Sequence, residues 1–141
     1  MKTWLGLDYG LRRIGIAAGS GSLALAVATH QEGRDGSVFA FLRAIVDERE
    51  AVGFVVGLPL TADGREGDMA VRVRKFAGRL EEEFGLPVIL WDERYSSAEA
   101  DRGLAEAARP PREARDAEAA RIILQSWLDS RPDSSAGEDP S

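Results

Sequence analysis

The chain has 141 residues, 44% of them hydrophobic and 30% charged, and carries a net charge of −6, which is typical of one globular domain with its own core. It has no cysteine and a single histidine, which excludes disulfide frameworks, thiolate zinc sites and sites that need several imidazoles. No apolar run approaches the roughly 20 residues that span a bilayer, and no secretory pattern opens the chain, so we expect a cytoplasmic protein without a membrane partner.

Three short strands open the chain, over residues 3–9, 13–19 and 23–29, with glycines at the turns. Strands joined this tightly are expected to pair antiparallel. From 37 to 50 the apolar residues recur at helical spacing, which predicts a helix. GFVVGLPL, residues 53–60, is then a continuous apolar run, typical of a strand that is buried on both faces.

The second half of the chain continues to alternate helix and strand. A helix, a strand and two further helices are predicted, at residues 68–84, 86–91, 97–108 and 113–128. The acidic, Ser/Pro-rich residues 129–141 have the composition of a disordered tail, which leaves one domain at 1–128. The order β-β-β-α-β-α-β-α-α predicts an α/β, ribonuclease H-like fold. Its mixed five-stranded sheet has three antiparallel strands plus two parallel ones and is flanked by helices.

Acidic residues interrupt apolar surfaces in three separate elements. Asp8 lies inside the first strand, Asp92 and Glu93 follow the last strand, and Asp116 heads the inward-facing apolar stripe of the last helix. The first strand of such a sheet is typically central, so these positions are expected to be close together outside the strand ends. Carboxylates gathered in this way suit hard divalent cations, two of which can promote phosphodiester hydrolysis.

Each acid also has a simpler interpretation that the sequence leaves open. Asp8 could pair with one of the two arginines that follow it, at positions 12 and 13. The acids after the last strand could form an ordinary polar strand end, and Asp116 could cap its helix or pair with Arg112. The single histidine, His30, has no evident partner in the sequence, and we expect it at the surface.

Four blocks of the sequence resemble the motifs of one family: GLDYGLRRIGIA, VVGLPLTADGREG, LWDERYSSAEA and RDAEAARIILQSWL. In order and spacing they are similar to the YqgF-type (RuvX) family of RuvC-related Holliday junction resolvases or pre-16S rRNA nucleases. The resemblance covers residues 3–128. It implies a ribonuclease H-like nuclease in which Asp8, Glu93 and Asp116 are catalytic and hold two Mg²⁺ or Mn²⁺ ions. Asp92 is then expected not to contact the ions directly but to orient a bound water or to pair with Arg94.

Basic and aromatic residues near these acids are the candidates for substrate binding. They are Arg12, Arg13, Arg94, Tyr95, Arg112 and Arg115. Arginine suits bidentate contact with phosphate, although an arginine beside acids can also simply neutralise them. The expected partner is structured RNA or branched DNA, between which the sequence does not choose, and resolution of a junction would favour a homodimer.

The leading hypothesis is therefore a metal-dependent nuclease, acting either on the pre-16S rRNA end or on a Holliday junction. The alternative is a non-catalytic nucleic-acid-binding or ribosome-assembly factor on the same fold, against which the three acids argue. A phosphotransferase of the actin-like type would fit the turn after Asp8, but 141 residues leave no room for its second lobe.

Overall fold

The computed structural model describes residues 2–96 and 112–131. Five strands form one sheet: β1 (Thr3–Tyr9), β2 (Arg13–Ser20), β3 (Leu23–Gln31), β4 (Ala51–Leu58) and β5 (Val88–Asp92). Their order is β3-β2-β1-β4-β5, with antiparallel pairing among the first three strands in the sequence and parallel pairing of β1 with β4 and of β4 with β5. The predicted mixed sheet with a central first strand is confirmed.

In the described part of the chain, three α-helices accompany the sheet: α1 (Val38–Arg49), α2 (Asp68–Phe84) and α3 (Arg112–Ser130). The Ser37 side chain caps α1 by accepting hydrogen bonds from two backbone N–H groups of its first turn, and α2 ends at Gly85 as its sequence predicts. α3 extends two residues past the predicted domain end. The helix predicted over 97–108 lies outside the described residues, as do residues 132–141 of the predicted tail. No described helix has the length and apolar content of a membrane span.

The two faces of the sheet carry separate cores, because side chains alternate along each strand. Leu5, Leu7 and Val56 point to the face that α1 and α2 cover. Val55 and Ala17 point to the other face, which the apolar side of α3 covers. In β1 this alternation leaves Gly6 and Asp8 on the α3 face, where Gly6 lies against Leu124. Asp8 therefore emerges beside α3.

Glycine allows α3 to lie directly on the sheet next to Asp8. Gly15 of β2 is the residue paired with Asp8 across the β1–β2 ladder. A Cβ atom at Gly15 would lie only 1.8 Å from the backbone oxygen of Asp116. The absence of a side chain at this position thus brings the backbone of α3 into contact with the sheet and places Asp116 near Asp8.

We expect Gly15→Ala to lower the free energy of unfolding by about 3 kcal/mol, because the added methyl group collides with backbone and α3 has to lift off the sheet. Gly78→Ala is the matched control, since a Cβ at that exposed position of α2 meets nothing within 4 Å. That change should raise stability by up to about 1 kcal/mol through helix propensity. Urea unfolding measures the free energy of unfolding of both variants. Equal stabilities would contradict the close approach of the α3 backbone to Gly15.

The expected surface position of His30 is wrong. The residue is only 1% exposed, its Nε2 atom lies 2.8 Å from the carbonyl oxygen of Gly36, and its ring makes a T-shaped contact with that of Phe41. A buried polar group is normally hydrogen-bonded, and here the partner is backbone. Residue types in the sequence do not reveal such a partner.

Candidate active site

A cleft of about 480 Å³ opens where β1 turns into β2. It is lined by Asp8, Tyr9, Gly10, Leu11, Arg12, Arg13 and Asp116. The turn is held to the sheet by a hydrogen bond from the backbone N–H of Glu32 to the carbonyl oxygen of Arg12. Two of the predicted acids and two of the predicted substrate-binding arginines therefore share one cavity.

Asp8 is the most buried acid of this cleft. Burial, and to a lesser extent the charges of Glu93 and Asp116, together raise its pKa to about 7. Across residues 2–96 and 112–131, no group donates a hydrogen bond to its carboxylate, so the alternative pairing with Arg12 or Arg13 is not observed. An acid buried among like charges is costly when ionised, and such perturbed groups concentrate at functional sites.

Glu93 begins the 3-10 turn Glu93–Tyr95 that follows β5, and its side chain folds back over β4. A Cβ atom at Gly57 would lie 2.7 Å from Glu93 Oε2 and 2.6 Å from Ile123 Cδ1, so the carboxylate occupies space on the α3 face that Gly57 leaves open. Burial and, to a lesser extent, the charge of Asp92 raise the pKa of Glu93. Glu93 thus reaches the same face of the sheet as Asp8.

Asp92 is turned towards Arg94. Its carboxylate accepts hydrogen bonds from the backbone N–H and the guanidinium of Arg94, at distances down to 2.6 Å, and these bonds hold the pKa of Asp92 below its usual value. Arg94 also donates to the carbonyl oxygen of Ala62, 3.1 Å away, and so ties the 3-10 turn to the loop after β4. This pairing is one of the two expectations for Asp92, and Arg94 is occupied within the protein.

Asp116 has its own counter-ion. Nε of Arg13, the first residue of β2, lies 2.6 Å from Asp116 Oδ2, and each side chain is 26% exposed. The alternative pairing with Arg112 falls outside the description, because α3 begins at Arg112 but the side chain of that residue is not among the described ones. Within the described chain, Arg13 neutralises Asp116 and not Asp8.

Of the remaining predicted substrate residues that the structure describes, Arg12 lines the cleft, whereas Tyr95 and Arg115 are not part of its lining. Arg12 is exposed on its wall. Tyr95 is 68% exposed, with its ring 5.2 Å from that of Trp91. Arg115 is half-buried on α3, and its Nε atom is buried without a hydrogen-bond partner among residues 2–96 and 112–131. The two guanidinium groups have the charge to contact an anionic ligand, and the exposed ring of Tyr95 has a free face.

Comparison with known proteins identifies the family. A family model described as RuvX, Holliday junction resolvase, matches residues 2–130. The chain belongs to the RuvX family. The chain is 45% identical over 136 residues to a protein of Anaeromyxobacter dehalogenans named "Putative pre-16S rRNA nuclease", with 93% of this chain and 98% of that protein covered. A protein of the same name from Burkholderia lata is 41% identical, with coverage of 93% and 91%.

Two solved structures have a fold similar to that of this RuvX-family chain. The RuvC of T. thermophilus, in complex with a Holliday junction substrate, superposes with a TM-score of 0.58 at 16% identity, covering 91% of this chain and 94% of that one. A second structure of Thermus thermophilus RuvC gives a TM-score of 0.55 at 15% identity, with coverage of 90% and 95%. The predicted resemblance to a family of RuvC-related nucleases is confirmed.

Two glycines and one ion pair that shape the site of this RuvX-family chain were not predicted from the sequence. Gly15 and Gly57 make room for the α3 backbone and for Glu93, respectively. A glycine inside a buried strand often marks such a close approach, and that signal was available in the sequence. The Arg13–Asp116 pair joins residues 103 positions apart, and no local pattern indicates it.

The acids of the cleft fit a hard divalent cation in kind and in charge. Their ligand atoms are all carboxylate oxygens, and the burial and mutual repulsion that raise the Asp8 pKa would be relieved by a bound cation. In the described part of the chain, however, no three acidic or histidine side chains already surround a single point closely enough to hold an ion. One of the acids, Asp116, is engaged by Arg13.

Proposed function

We propose that this RuvX-family protein is a cytoplasmic, divalent-metal-dependent nuclease that hydrolyses phosphodiester bonds in structured nucleic acid. The observation that carries the proposal is the position of Asp8, partly buried near the end of the central strand, within reach of the charges of Glu93 and Asp116 and without a hydrogen-bond donor among the described residues. A non-catalytic binding factor on the same fold has no use for so costly an arrangement of charges.

Asp8, Glu93 and Asp116 are the proposed catalytic residues and the ligands of Mg²⁺ or Mn²⁺, in a site for two ions. Bound cations of this kind activate water for attack on the phosphodiester and stabilise the departing oxygen. The chain itself contributes the three carboxylates, two of which, Asp8 and Asp116, line the cleft. Asp92 supports the site through Arg94, which steadies the turn that carries Glu93.

The arginines are proposed to hold substrate phosphates. Arg12 is placed for this on the wall of the cleft, and Arg112 and Arg115 extend the positive charge along the start of α3. Tyr95 is proposed to stack on a base, since most of its ring is exposed beside the turn that carries Glu93.

The proposed substrate is the end of precursor 16S rRNA, because relatives above 40% identity over most of their length carry that name. A Holliday junction is the second candidate, favoured by the description of the family model. Junction resolution would require a homodimer with paired sites, whereas trimming of RNA would not. The two substrates present the same phosphodiester and differ in shape and in the 2′-OH.

Metal removal is the direct test of the chemistry. Cleavage should vanish in EDTA and return with Mg²⁺ or Mn²⁺ but not with Ca²⁺, whose larger and looser coordination positions reacting groups poorly. Gel assays with end-labelled substrates measure this. Undiminished cleavage in EDTA would overturn metal dependence.

The same assay distinguishes the substrates. RNA carrying the 16S leader, a four-way DNA junction and linear duplex DNA are compared in Mn²⁺, and the cuts are mapped. We expect cleavage at a defined position in the RNA. Symmetric cuts confined to the junction, made by a dimer, would instead establish the second candidate, and no cleavage of any substrate would favour the binding factor.

A further inference from the structure

The ion pair between Arg13 and Asp116 lies inside the cleft that also holds Asp8. A charge-assisted hydrogen bond of 2.6 Å is among the stronger kinds, and with 26% of each side chain exposed it is only partly screened by water. Arg13 Nε lies on Oδ2 of Asp116 and so uses one of the two oxygens of that carboxylate. The pair therefore determines where the Asp116 carboxylate is directed.

We propose that Arg13 is a displaceable counter-ion, which competes with the divalent cation for Asp116 and transfers to a substrate phosphate when nucleic acid binds. The inference rests on the proposed metal site and adds to it a link between cation and substrate. Arg13 then has two partners of the same chemistry, a carboxylate and a phosphate, both suited to its planar guanidinium.

Two observations and one electrostatic principle favour competition over a fixed structural role. In the described chain, no three acidic side chains are close enough together to hold a metal ion, and one of the proposed ligands, Asp116, is paired with Arg13. Two cationic groups on one carboxylate repel each other, so binding of one weakens binding of the other. The partly exposed side chain of Arg13 lies in the cleft next to Arg12, where a phosphate would be held.

A consequence of this arrangement is positive coupling. If a phosphate draws Arg13 away from Asp116, nucleic acid raises the affinity for the cation, and by reciprocity the cation raises the affinity for nucleic acid by the same factor. A residue that only orients Asp116 for the cation would act in the opposite sense, because its loss typically weakens metal binding by 10- to 100-fold.

The decisive measurement is Mn²⁺ binding by the full chain without nucleic acid, followed by electron paramagnetic resonance of the free ion. Arg13→Gln should bind Mn²⁺ about fivefold more tightly than Arg12→Gln. Arg12→Gln is the matched control, since it removes the same charge from the same cleft without touching Asp116. Arg13→Lys keeps the positive charge but not the planar guanidinium. Its affinity for Mn²⁺ should lie between those of the wild type and Arg13→Gln.

The second measurement is binding of a labelled four-way junction and of RNA with the 16S leader, by fluorescence anisotropy, in EDTA and in Ca²⁺. Ca²⁺ should tighten binding more for the wild type than for Arg13→Gln. Melting curves exclude unfolding of the variants as the cause.

The outcomes separate this inference from the proposed function. Equal Mn²⁺ affinity in the two glutamine variants, weaker binding by Arg13→Gln, or an equal effect of Ca²⁺ on wild type and Arg13→Gln would overturn the displaceable counter-ion and leave metal dependence standing. Failure of the wild type to bind Mn²⁺ at all would overturn both.

Discussion

Asp8→Asn is expected to abolish cleavage, with a loss of at least about 10³-fold, while making the metal-free protein more stable at pH 8. The amide removes a charge that the proposed site requires for its cations, but it keeps the shape of the side chain. The same change removes a buried charge that lies beside two other carboxylates. Activity and stability should therefore move in opposite directions, which a merely structural residue would not show.

The pH dependence of stability follows from the raised pKa of Asp8. Its value is about 7 in the folded protein against an ordinary value of 3.8, so the folded state binds more protons than the unfolded state between these values. Stability is then greatest below about pH 4 as far as this group is concerned, and it falls as the pH rises towards 7. The difference corresponds to roughly 4 kcal/mol at most once both states are ionised.

Melting temperatures measured in EDTA between pH 5 and pH 8 check this expectation. The wild type should lose stability across this range and Asp8→Asn should lose less. Asp47→Asn is the control, since Asp47 is an exposed acid on α1, on the opposite face of the sheet. A variant Asp8→Asn that cuts at the wild-type rate in Mn²⁺, or that melts with the same pH profile as the wild type, would contradict the assignment of Asp8.

Glu93→Gln and Asp92→Asn are expected to differ by at least about tenfold in their effect on single-turnover cleavage, although the two acids are adjacent. Glu93 folds over Gly57 onto the face that carries Asp8, and its loss should cost about 10³-fold or more. Asp92 is occupied by Arg94, and its loss should cost about 10- to 100-fold, the usual scale for a group that positions a metal ligand.

A double-mutant cycle adds a readout that is specific to this geometry. Because Asp92 acts through Arg94, the effects of Asp92→Asn and Arg94→Ala on the rate should be far from additive. The reverse ranking of Glu93 and Asp92 would overturn the assignment of ligand and supporting residue, even if the protein proves to be a nuclease.

The sequence by itself determined the order of the elements and the identity of the candidate acids. Apolar periodicity is local, so the run in β4 and the stripes of α2 and α3 are readable without any knowledge of their neighbours. Asp8 is conspicuous for the same reason, since it interrupts a strand that is otherwise apolar. Alternation also predicts that Asp92 and Glu93 point to opposite faces, and only the family motif favours Glu93.

Only the tertiary structure decided which of those faces belongs to the site. The pairing of Leu7 with Val56 puts Asp8 on the side of Gly57, and a shift of one residue would have reversed every face. The position of α3 on Gly15 then brings Asp116 into the cleft, where it pairs with Arg13 of β2. These contacts depend on register and on packing between segments far apart in the chain, and local residue patterns carry no record of either.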